Sequence, residues 1–426
     1  MKRSLLGSAA TYTTANVLSS LVPVLMIPIM TRILSPSDYG IVAVFNSAVA
    51  YLVVAVGLGV QSTIPIQFYR LAREEVAQLI TACFLILAMS FLVVNLATVA
   101  LWPLVSRYSS FSIGWVFMAS AVAAMQFVGA LRMSVLQAEK RSFDYACLQV
   151  FQSIAVPAFS IALIVFADMA WRGRILGAVI TGVMMTIVAF VGLRRDGLLV
   201  GHTRKHHVTG AVRYGITLLP HVLGGLTIAL GDQLLVAMVL GASAAGMFSV
   251  ALSAASAIQL VTIALNRAWA PWLYENLPAM EYPDKLRVVR FTYTYFVVLA
   301  LGASCFGVLL PYALKVLVGQ AFLPSASLVL ILSVGFGFGG MYFAVTNYVF
   351  HVGATARLAA VTASSAVIGA ILTYALLKRF GLAGAGYGFA LSQMILFVNT
   401  WRLAQKVCPM PWAAALRSIG KPPKEA

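Results

Sequence analysis

Four ionisable side chains inside or at the ends of long apolar segments are the first candidates for chemistry. Asp232 is the one acid well inside such a segment, and Arg32, Arg132 and Arg267 close three others. An unpaired carboxylate in hydrocarbon costs roughly 2.5–3.5 kcal/mol, so Asp232 is expected to face a cavity, a cationic partner or a bound ion. Two interpretations stay open: a coupling site for H⁺ or Na⁺, and a structural pairing between helices.

The three arginines have the chemistry to bind an anion, because a guanidinium stays charged and presents five donors. Arg32 would contact a head group or form part of a gate; alternatively, it reaches back to the aqueous interface and pairs with Asp38. Arg132 and Arg267 would be cations at the mouth of a cavity. Alternatively, they are ordinary positive residues at the ends of membrane helices.

A set of amide side chains lies in the same segments and could form hydrogen bonds with the hydroxyl groups of sugars. The set consists of Asn46, Gln61, Gln126, Gln149, Gln152, Asn266, Asn347 and Gln393. Each amide alone is better explained by a hydrogen bond between helices, worth about 0.6 kcal/mol on average. Together they predict a polar lumen, because amides that faced lipid would be costly.

Composition predicts the elements that carry these residues. Of the 426 residues, 61% are apolar and 10% are charged, whereas a soluble domain carries about 25% charged residues. Too little polar surface remains to cover a protein in water, so lipid must be the solvent. Backbone groups cannot stay unpaired in hydrocarbon, and the runs are continuously apolar rather than alternating as in a membrane barrel. The sequence therefore predicts an all-α integral membrane protein.

Twelve membrane spans of about 20 apolar residues each are predicted. They lie near residues 10–33, 39–66, 77–104, 112–136, 143–166, 173–193, 214–240, 244–270, 290–313, 324–350, 357–377 and 383–404. An even number places both termini on one side, and 22 of the 29 Lys and Arg residues then fall on that side. The positive-inside rule makes this side the cytoplasm. The same distribution accounts for most of the net charge of +17 without a nucleic-acid partner, and Trp269 and Trp272 are interpreted as interfacial anchors.

The chain divides into two similar halves with a basic connection between them. The predicted parts are a six-helix lobe at 1–193, a basic cytoplasmic linker at 194–213, a second six-helix lobe at 214–404 and a basic cytoplasmic tail at 405–426. Residues 32–40 resemble residues 238–246 at an offset of 206 positions. Six spans per half make the halves parallel repeats about an axis along the membrane normal. A central cavity between the lobes and alternating access by rocking follow from that geometry.

Other chemistries are disfavoured by the arrangement of the residues. His202, His206 and His207 are of metal-ligand type, but a solvated loop near anionic lipid is the preferred interpretation because nothing apolar would fix their geometry. The four cysteines lack any C-x-x-C spacing, so neither a metal site nor a disulfide framework is predicted. The run Gly335-Phe-Gly-Phe-Gly339 follows no strand and indicates close helix packing rather than a nucleotide loop. Predicted loops reach about 20 residues at most, so we expect no catalytic domain, no enzyme activity and no cofactor.

Three stretches carry motifs of a known family. They are Pro28-Ile-Met-Thr-Arg-Ile-Leu-Ser-Pro-Ser-Asp-Tyr-Gly40; Tyr214-Gly-Ile-Thr-Leu-Leu-Pro-His221 with Gly231-Asp-Gln-Leu-Leu235 and Leu240-Gly-Ala-Ser-Ala-Ala-Gly-Met-Phe-Ser249; and Gly381-Leu-Ala-Gly-Ala-Gly-Tyr-Gly388. In order and spacing the chain resembles the Wzx-type oligosaccharide flippases, a polysaccharide biosynthesis branch of the superfamily that includes the MATE multidrug exporters. The resemblance implies a MATE-like fold and a transporter rather than an enzyme.

The resemblance also implies a substrate and a location. The substrate would be a polyprenyl-pyrophosphate-linked oligosaccharide, flipped from the cytoplasmic to the outer leaflet of the bacterial inner membrane for O-antigen lipopolysaccharide, capsule or exopolysaccharide assembly. Such families are often coupled to an ion gradient, here of H⁺ or Na⁺, although the sequence does not require coupling. The expected partners are the lipid-linked substrate, membrane lipids, and the polymerase and chain-length regulator of the same pathway.

Two alternative functions stay open at this point. A MATE-like multidrug or cation antiporter would need acids in its cavity to attract cations, whereas the candidate charges here are mostly basic. An integral-membrane polysaccharide polymerase would be expected to have a sizeable outer loop or a cluster of Asp, Glu and His at one interface. The sequence predicts neither of these features, so a flippase is favoured.

Overall fold

A computed structural model describes residues 2–106 and 112–417, without the side chains of residues 2–10, 13 and 105. Arg107, Lys421 and Lys424, which the sequence assigns to a loop and to the tail, lie outside the described residues, as does the rest of the tail after Arg417. The described part of the chain is helical throughout and contains no strand.

Helices of two kinds account for nearly all of this structure. The α-helices are α1 (Lys2–Ile33), α2 (Pro36–Gly57), α3 (Ile64–Gln67), α4 (Arg73–Val105), α5 (Ile113–Ala138), α6 (Ser142–Ala167), α7 (Ala170–Arg195), α8 (Lys205–Leu240), α9 (Ala242–Ala255), α10 (Ala257–Asn276), α11 (Tyr282–Leu317), α12 (Val329–His351), α13 (Thr355–Val407) and α14 (Trp412–Arg417). Short 3₁₀ helices span Val60–Thr63, Leu277–Ala279 and Gln320–Leu328.

Eleven helical stretches of the described chain are long and apolar enough to cross a membrane. The last of them, α13, is two helices joined at Gly381, where a φ of 57° and a ψ of −140° break the helical path. Glycine adopts such a conformation without the steric penalty of a side chain. Since predicted spans 11 and 12 meet at this residue, the predicted all-α membrane fold with about twelve spans is confirmed.

The described chain forms two compact units. Unit 1 comprises the described residues up to Leu226 together with Gln233–Ser249 and Val318–Ala321. Unit 2 comprises Thr227–Asp232, Val250–Leu317 and the described residues from Phe322 onward. Helices α8 and α9 therefore contribute residues to both units, and the predicted lobe boundaries, which follow sequence order alone, stay a prediction.

Each unit has its own hydrophobic core. In unit 1, Phe127 and Leu131 of α5 are fully buried in a cluster that also contains side chains from α2, α4 and α7. In unit 2, Tyr348 of α12 is buried in a cluster that includes Trp412 of α14. The ring of Trp412 lies 5.2 Å from the ring of Trp401, centroid to centroid. The beginning of the predicted tail is thus part of a packed core rather than a solvated segment.

The two stretches of the internal repeat contact each other within unit 1. A Cβ atom on Gly40 would lie 1.8 Å from the carbonyl oxygen of Ala242, and one on Gly246 would lie 1.9 Å from that of Pro36. Because Pro36 and Ala242 are also related by the offset of 206 positions, the contact is reciprocal, as in a two-fold arrangement. This close approach of two backbones is the physical reason for the matching glycines of the repeat.

The predicted linker at 194–213 is largely helical. Helix α7 continues to Arg195, and α8 begins at Lys205, so that Asp196–Arg204 is the stretch between the two helices. The glycine run in α12 packs closely against neighbouring helices, as its spacing predicts: a Cβ on Gly335 would lie 2.7 Å from the ring of Phe389, and one on Gly340 would meet Thr262 at 2.5 Å.

Candidate functional site

Two of the predicted amides, far apart in sequence, meet in unit 2. Asn347 Nδ2 donates to Asn266 Oδ1 at 2.8 Å, and the hydroxyl of Tyr274 donates to Asn347 Oδ1 at 3.2 Å. Asn347 is 3% exposed, whereas Asn266 is half-buried. A buried amide needs partners on both its oxygen and its nitrogen, and this chain of hydrogen bonds supplies one to each. The result is a fixed polar ladder between α10 and α12.

The ladder borders a cavity of about 340 Å³ in the same unit. Its walls come from α10, α11 and α12 and are formed by Leu265, Asn266, Ala268, Trp269, Trp272, Phe291, Thr292, Tyr295, Phe343 and Ala344. Asn266, Trp269 and Trp272 recur every three residues, so they share one face of α10. Helical spacing therefore explains why an amide and two indoles line the same cavity.

The aromatic rings of the cavity form a continuous surface. The ring centroids of Trp269 and Trp272 are 4.9 Å apart, and those of Trp269 and Phe291 are 5.3 Å apart in a stacked arrangement. Flat aromatic faces offer large apolar contact areas, while amides at the edge supply both donors and acceptors. A sugar ring has an apolar face and peripheral hydroxyls, so this combination of groups suits an oligosaccharide. We call the lining residues Asn266, Trp269, Trp272 and Phe291, together with Asn347, which lies behind Asn266 and outside the lining, the amide–aromatic pocket.

Arg267 follows directly after the pocket residue Asn266 on α10. Its side chain is exposed, and it makes no ion pair with any described residue. A guanidinium without a carboxylate partner keeps its full capacity to bind a phosphate group in two-pronged fashion. Arg267 is not part of the cavity lining, although its neighbours Asn266 and Ala268 are, and its role as a substrate ligand stays a prediction.

Arg132, the other candidate for a cation at the mouth of a cavity, is enclosed by protein. Its guanidinium is buried, pairs with Asp196 at 2.6 Å and packs on Gly192, where a Cβ would lie 2.8 Å from Arg132 Nη2. Arg141 contacts the same carboxylate at 2.9 Å, and Arg73 donates to the backbone carbonyl of Asp196 at 2.6 Å. These contacts join the ends of α4, α5, α6 and α7. Arg132 thus has a structural partner that the sequence did not indicate, and we do not place it in the site.

The electrostatics of Asp196 reflect these neighbours. Partial burial raises the pKa of the Asp196 carboxyl, but hydrogen bonds and positive charge from Arg132 and Arg141 outweigh burial and hold the pKa below its ordinary value. The carboxylate is therefore ionised at neutral pH. We call Arg132, Arg141 and Asp196 the arginine–aspartate cluster of unit 1.

Asp232 is buried in unit 2 at 5% exposure. The Thr373 side chain of α13 lies beside the carboxyl, yet neither Asp232 Oδ2 nor Thr373 Oγ1 has a hydrogen-bond partner among the described residues. No described Lys or Arg forms an ion pair with it. Structural pairing between helices, here of α8 with α13 through the neighbouring Thr373, and a site for H⁺ or Na⁺ both stay predictions.

Gln393 is a further predicted amide in unit 2. It is buried, and a Cβ on Gly339 would lie 3.5 Å from its Oε1. The glycine run therefore leaves room for this amide between α12 and α13. Its role as a substrate ligand stays a prediction.

The predicted residues of unit 1 are more dispersed. Asn46 and Gln126 are exposed, Gln149 and Gln152 are half-buried, and Gln61 has a buried Oε1 without a partner among the described residues. No hydrogen bond joins any two of these side chains in the described chain. The structure therefore does not assemble the amides of unit 1 as it assembles Asn266 and Asn347.

Arg32 lies at the end of α1 and is exposed. It donates to the carbonyl oxygen of Pro28 at 3.2 Å. Asp38, the suggested partner, forms a capping box with Ser35, whose hydroxyl donates to Asp38 Oδ2 at 2.6 Å. The aspartate thus has a local role in starting α2, and a role of Arg32 at a head group stays a prediction.

Sequence reasoning missed Trp269 and Trp272 of the amide–aromatic pocket and Gln233 of unit 1. Trp269 and Trp272 were interpreted as interfacial anchors, although their three-residue spacing from Asn266 could have indicated a shared face. Gln233, buried in unit 1, accepts a hydrogen bond from Ser47 at 2.9 Å. From the sequence, only its neighbour Asp232 was a candidate at this point of the span.

Comparison with known proteins identifies the family. Residues 5–277, more than half of the chain, match the family model described as polysaccharide biosynthesis protein. This chain belongs to the polysaccharide biosynthesis protein family. The resemblance to Wzx-type flippases is thereby confirmed. Membership favours a transport role over an enzymatic one in general terms.

Two proteins of one organism are similar to this family member over most of its length. The Lsg locus putative protein 1 of Haemophilus influenzae is 18% identical over 398 residues, which cover 91% of this chain and 96% of that protein. An uncharacterised membrane protein of the same organism is 20% identical over 282 residues, or 64% of this chain and 66% of that protein.

Solved structures show that this polysaccharide biosynthesis protein shares the MATE-like fold. An inward-facing MATE family multidrug resistance transporter superposes with a TM-score of 0.73 at 12% identity, covering 94% of this chain and 96% of that one. The lipid II flippase MurJ, in an inward closed conformation, superposes with a TM-score of 0.74 at 11% identity, covering 92% and 87%. At this identity the likeness shows the fold alone, and the predicted central cavity stays a prediction.

Proposed function

We propose that this protein flips a polyprenyl-pyrophosphate-linked oligosaccharide from the cytoplasmic to the outer leaflet of the bacterial inner membrane by alternating access. The observation that carries the proposal is membership of the polysaccharide biosynthesis family in a chain built from membrane-spanning helices. The shared fold with a lipid II flippase supports a lipid-linked substrate. Both termini would be cytoplasmic, as the positive-inside rule indicates.

The amide–aromatic pocket would bind the oligosaccharide. Asn266 and Asn347 would exchange hydrogen bonds with sugar hydroxyls, and Trp269 would pack against the apolar face of a sugar ring. Arg267 would bind the pyrophosphate, whose planar pairs of oxygens match the guanidinium fork. The polyprenyl chain would stay in lipid, so that only the polar head would need a hydrated path.

The membrane potential would contribute to the direction of transport. Pyrophosphate carries about two negative charges. Each negative charge that moves outward, away from a negative interior, releases roughly 2.3 kcal/mol per 100 mV. Asp232 would add coupling to H⁺ or Na⁺, because it is a buried carboxylate with an unsatisfied oxygen. Substitution Asp232→Asn is expected to abolish any dependence of transport on the ion gradient while leaving the potential-driven component. Unchanged gradient dependence would remove Asp232 from this role.

A reconstitution experiment tests the function. Purified protein in liposomes is supplied with fluorescent lipid-linked oligosaccharide, and the fraction accessible to an external quencher is followed with time. Flipping redistributes the label between leaflets and leaves the mass of the lipid-linked sugar unchanged. A polysaccharide polymerase, the less favoured alternative, would lengthen the sugar, and the mass spectrum would show it.

A MATE-like cation antiporter is the second candidate. It is supported by the likeness to a multidrug MATE transporter and by the buried carboxylate of Asp232. Uptake of a cationic dye into the same liposomes under an imposed ion gradient distinguishes the two, because a flippase specific for an anionic head group would not move the dye. The lipopolysaccharide, capsule or exopolysaccharide destination and the partnership with a polymerase and chain-length regulator belong to the proposal as well.

A further inference from the structure

A second polar cavity, of about 320 Å³, lies within unit 1 at the beginning of α8. Its polar lining consists of Thr63, Gln67, Arg70, His206, His207 and Tyr214. These side chains come from the segment around α3 and from the first three turns of α8. A Cβ on Gly210, which also lines the cavity, would meet nothing within 4 Å. The cavity therefore has room for a ligand beside the imidazoles.

The segment that precedes α8 is held in place by hydrogen bonds to α4. Thr203 Oγ1 donates to the carbonyl oxygen of Gln78 at 2.8 Å, and Thr81 Oγ1 donates to that of Val200 at 3.0 Å. Gln78 Nε2 also lies 3.3 Å from His202 Nε2. These contacts fasten the segment to α4 and set the position of the first turn of α8. His206 and His207 lie on α8 rather than in a loop, and His207 is buried; His202 lies before α8 and is exposed, as the interpretation of a solvated loop predicts.

His207 presents an unsatisfied polar atom in this cavity. The residue is 5% exposed, and its Nε2 has no hydrogen-bond partner among the described residues. The ring of His206 lies 4.0 Å from that of His207, centroid to centroid. A buried polar atom without a partner costs about 1–3 kcal/mol. A ligand that exchanges a hydrogen bond with Nε2 would remove this cost.

The charge around the cavity favours an anion. Arg70 is an exposed cation in its wall, and the N-terminus of α8 has no side-chain cap from Arg204. Uncapped N–H groups at a helix start carry a partial positive charge and bind anions well. Glu75 is the one acid that interacts with His207, and it opposes this field in part. Cationic and hydroxyl donors still outnumber it in the lining.

We propose that this cavity binds a phosphate group, as a diphosphate or a phosphomonoester. Arg70 would pair with the phosphate oxygens, and His207 Nε2 would donate to one of them. The phosphate would belong either to a soluble ion or to the headgroup of a phospholipid in the adjacent leaflet. The inference concerns unit 1 and does not depend on the sugar site proposed for unit 2.

Binding measurements on the full-length protein test this inference. Inorganic pyrophosphate is titrated in detergent at an ionic strength held constant with NaCl, and binding is followed by calorimetry. In parallel, nanodiscs of phosphatidylcholine with and without phosphatidic acid are analysed by native mass spectrometry for retained lipid. The variants are Arg70→Gln, His207→Asn and the control Arg213→Gln, which removes an exposed cation of α8 outside the cavity lining.

The expected result is saturable binding of pyrophosphate that Arg70→Gln weakens roughly tenfold, since a hydrogen bond to a charged group is worth about 1.5–3 kcal/mol. Arg213→Gln should change affinity by less than about twofold, as expected for a screened surface charge. Retention of phosphatidic acid alone, with the same dependence on Arg70, would assign the phosphate to a lipid. Equal losses for Arg70→Gln and Arg213→Gln, or no binding of either probe, would overturn the inference. Because Arg70 is exposed, its variant stays informative if His207→Asn fails to fold.

Discussion

The environments of Arg132 in unit 1 and Arg267 in unit 2 differ in the structure, although the sequence places both near the ends of apolar spans. Arg132 is buried and paired with Asp196 at 2.6 Å, whereas Arg267 is exposed without an ion pair to any described residue. The first is neutralised within the fold and joins helix ends. The second has no ion-pair partner among the described residues. A cation near a membrane helix end is therefore informative about function only once its partner is known.

The largest effect is expected on the free energy of unfolding when the partner of Arg132 in unit 1 is removed. Asp196→Asn leaves Arg132 as a buried cation without a counter-charge, so it should lower the free energy of unfolding by about 3 kcal/mol. Thermal unfolding of the detergent-solubilised protein measures the loss. The control is Asp284→Asn, which breaks an exposed pair with Arg287 and should cost under about 1 kcal/mol. Equal losses in both variants would mean that burial of Arg132 does not matter.

The next prediction concerns the polar ladder of unit 2. Asn347→Leu leaves Asn266 Oδ1 and the hydroxyl of Tyr274 without their partner, which should cost about 2 kcal/mol of stability. Tyr274→Phe removes a single donor and should cost about 1 kcal/mol. Binding of lipid-linked oligosaccharide by Asn347→Leu should fall relative to sugar-free polyprenyl pyrophosphate. If both ligands lose affinity equally, the amides do not contact sugar.

The smallest expected effect is on the decline of the free energy of unfolding at acid pH. The pKa of Asp196 is lowered in the folded state, so its contribution is complete above the ordinary carboxyl pKa of about 3.9 and is lost as the pH falls through the lower folded value. Between pH 5 and 7 Asp196 should not change how the free energy of unfolding depends on pH. Unfolding followed from pH 5 downward should show a decline that is reduced in Asp196→Asn. A decline of the same size in the variant would assign the acid sensitivity to other carboxylates.

Much of the fold could be predicted from the sequence, and the site only in part. Long apolar runs must be helical in lipid, so the predicted spans fall on helices, and Gly381 lies between the last two of them. The bounds differ in places: span 2 was predicted to end at residue 66, whereas α2 ends at Gly57. Gly40 and Gly246 match at the offset of the repeat, but the sequence did not predict that the two stretches contact each other. Periodicity does not tell which side chains on different helices meet, and this is why the pairing of Arg132 with Asp196, 64 positions away, was not foreseen.

The pocket of unit 2 illustrates the same limit. Asn266 and Asn347 were both proposed as lumen amides, but their contact spans 81 positions and depends on the crossing of α10 and α12. Indoles at a span end fit an interfacial belt and a binding pocket equally well. The rings of Trp269 and Phe291 had to be placed in space before a pocket could be distinguished from a belt.

The most direct test of the account is the leaflet redistribution of lipid-linked oligosaccharide in proteoliposomes containing Arg267→Gln, compared with wild type at equal amounts of folded protein. Loss of a charge-assisted contact with pyrophosphate should slow flipping about tenfold, while thermal stability stays within about 0.5 kcal/mol of wild type, as for a surface substitution. A rate equal to that of the wild type would contradict the assignment of Arg267 to the substrate.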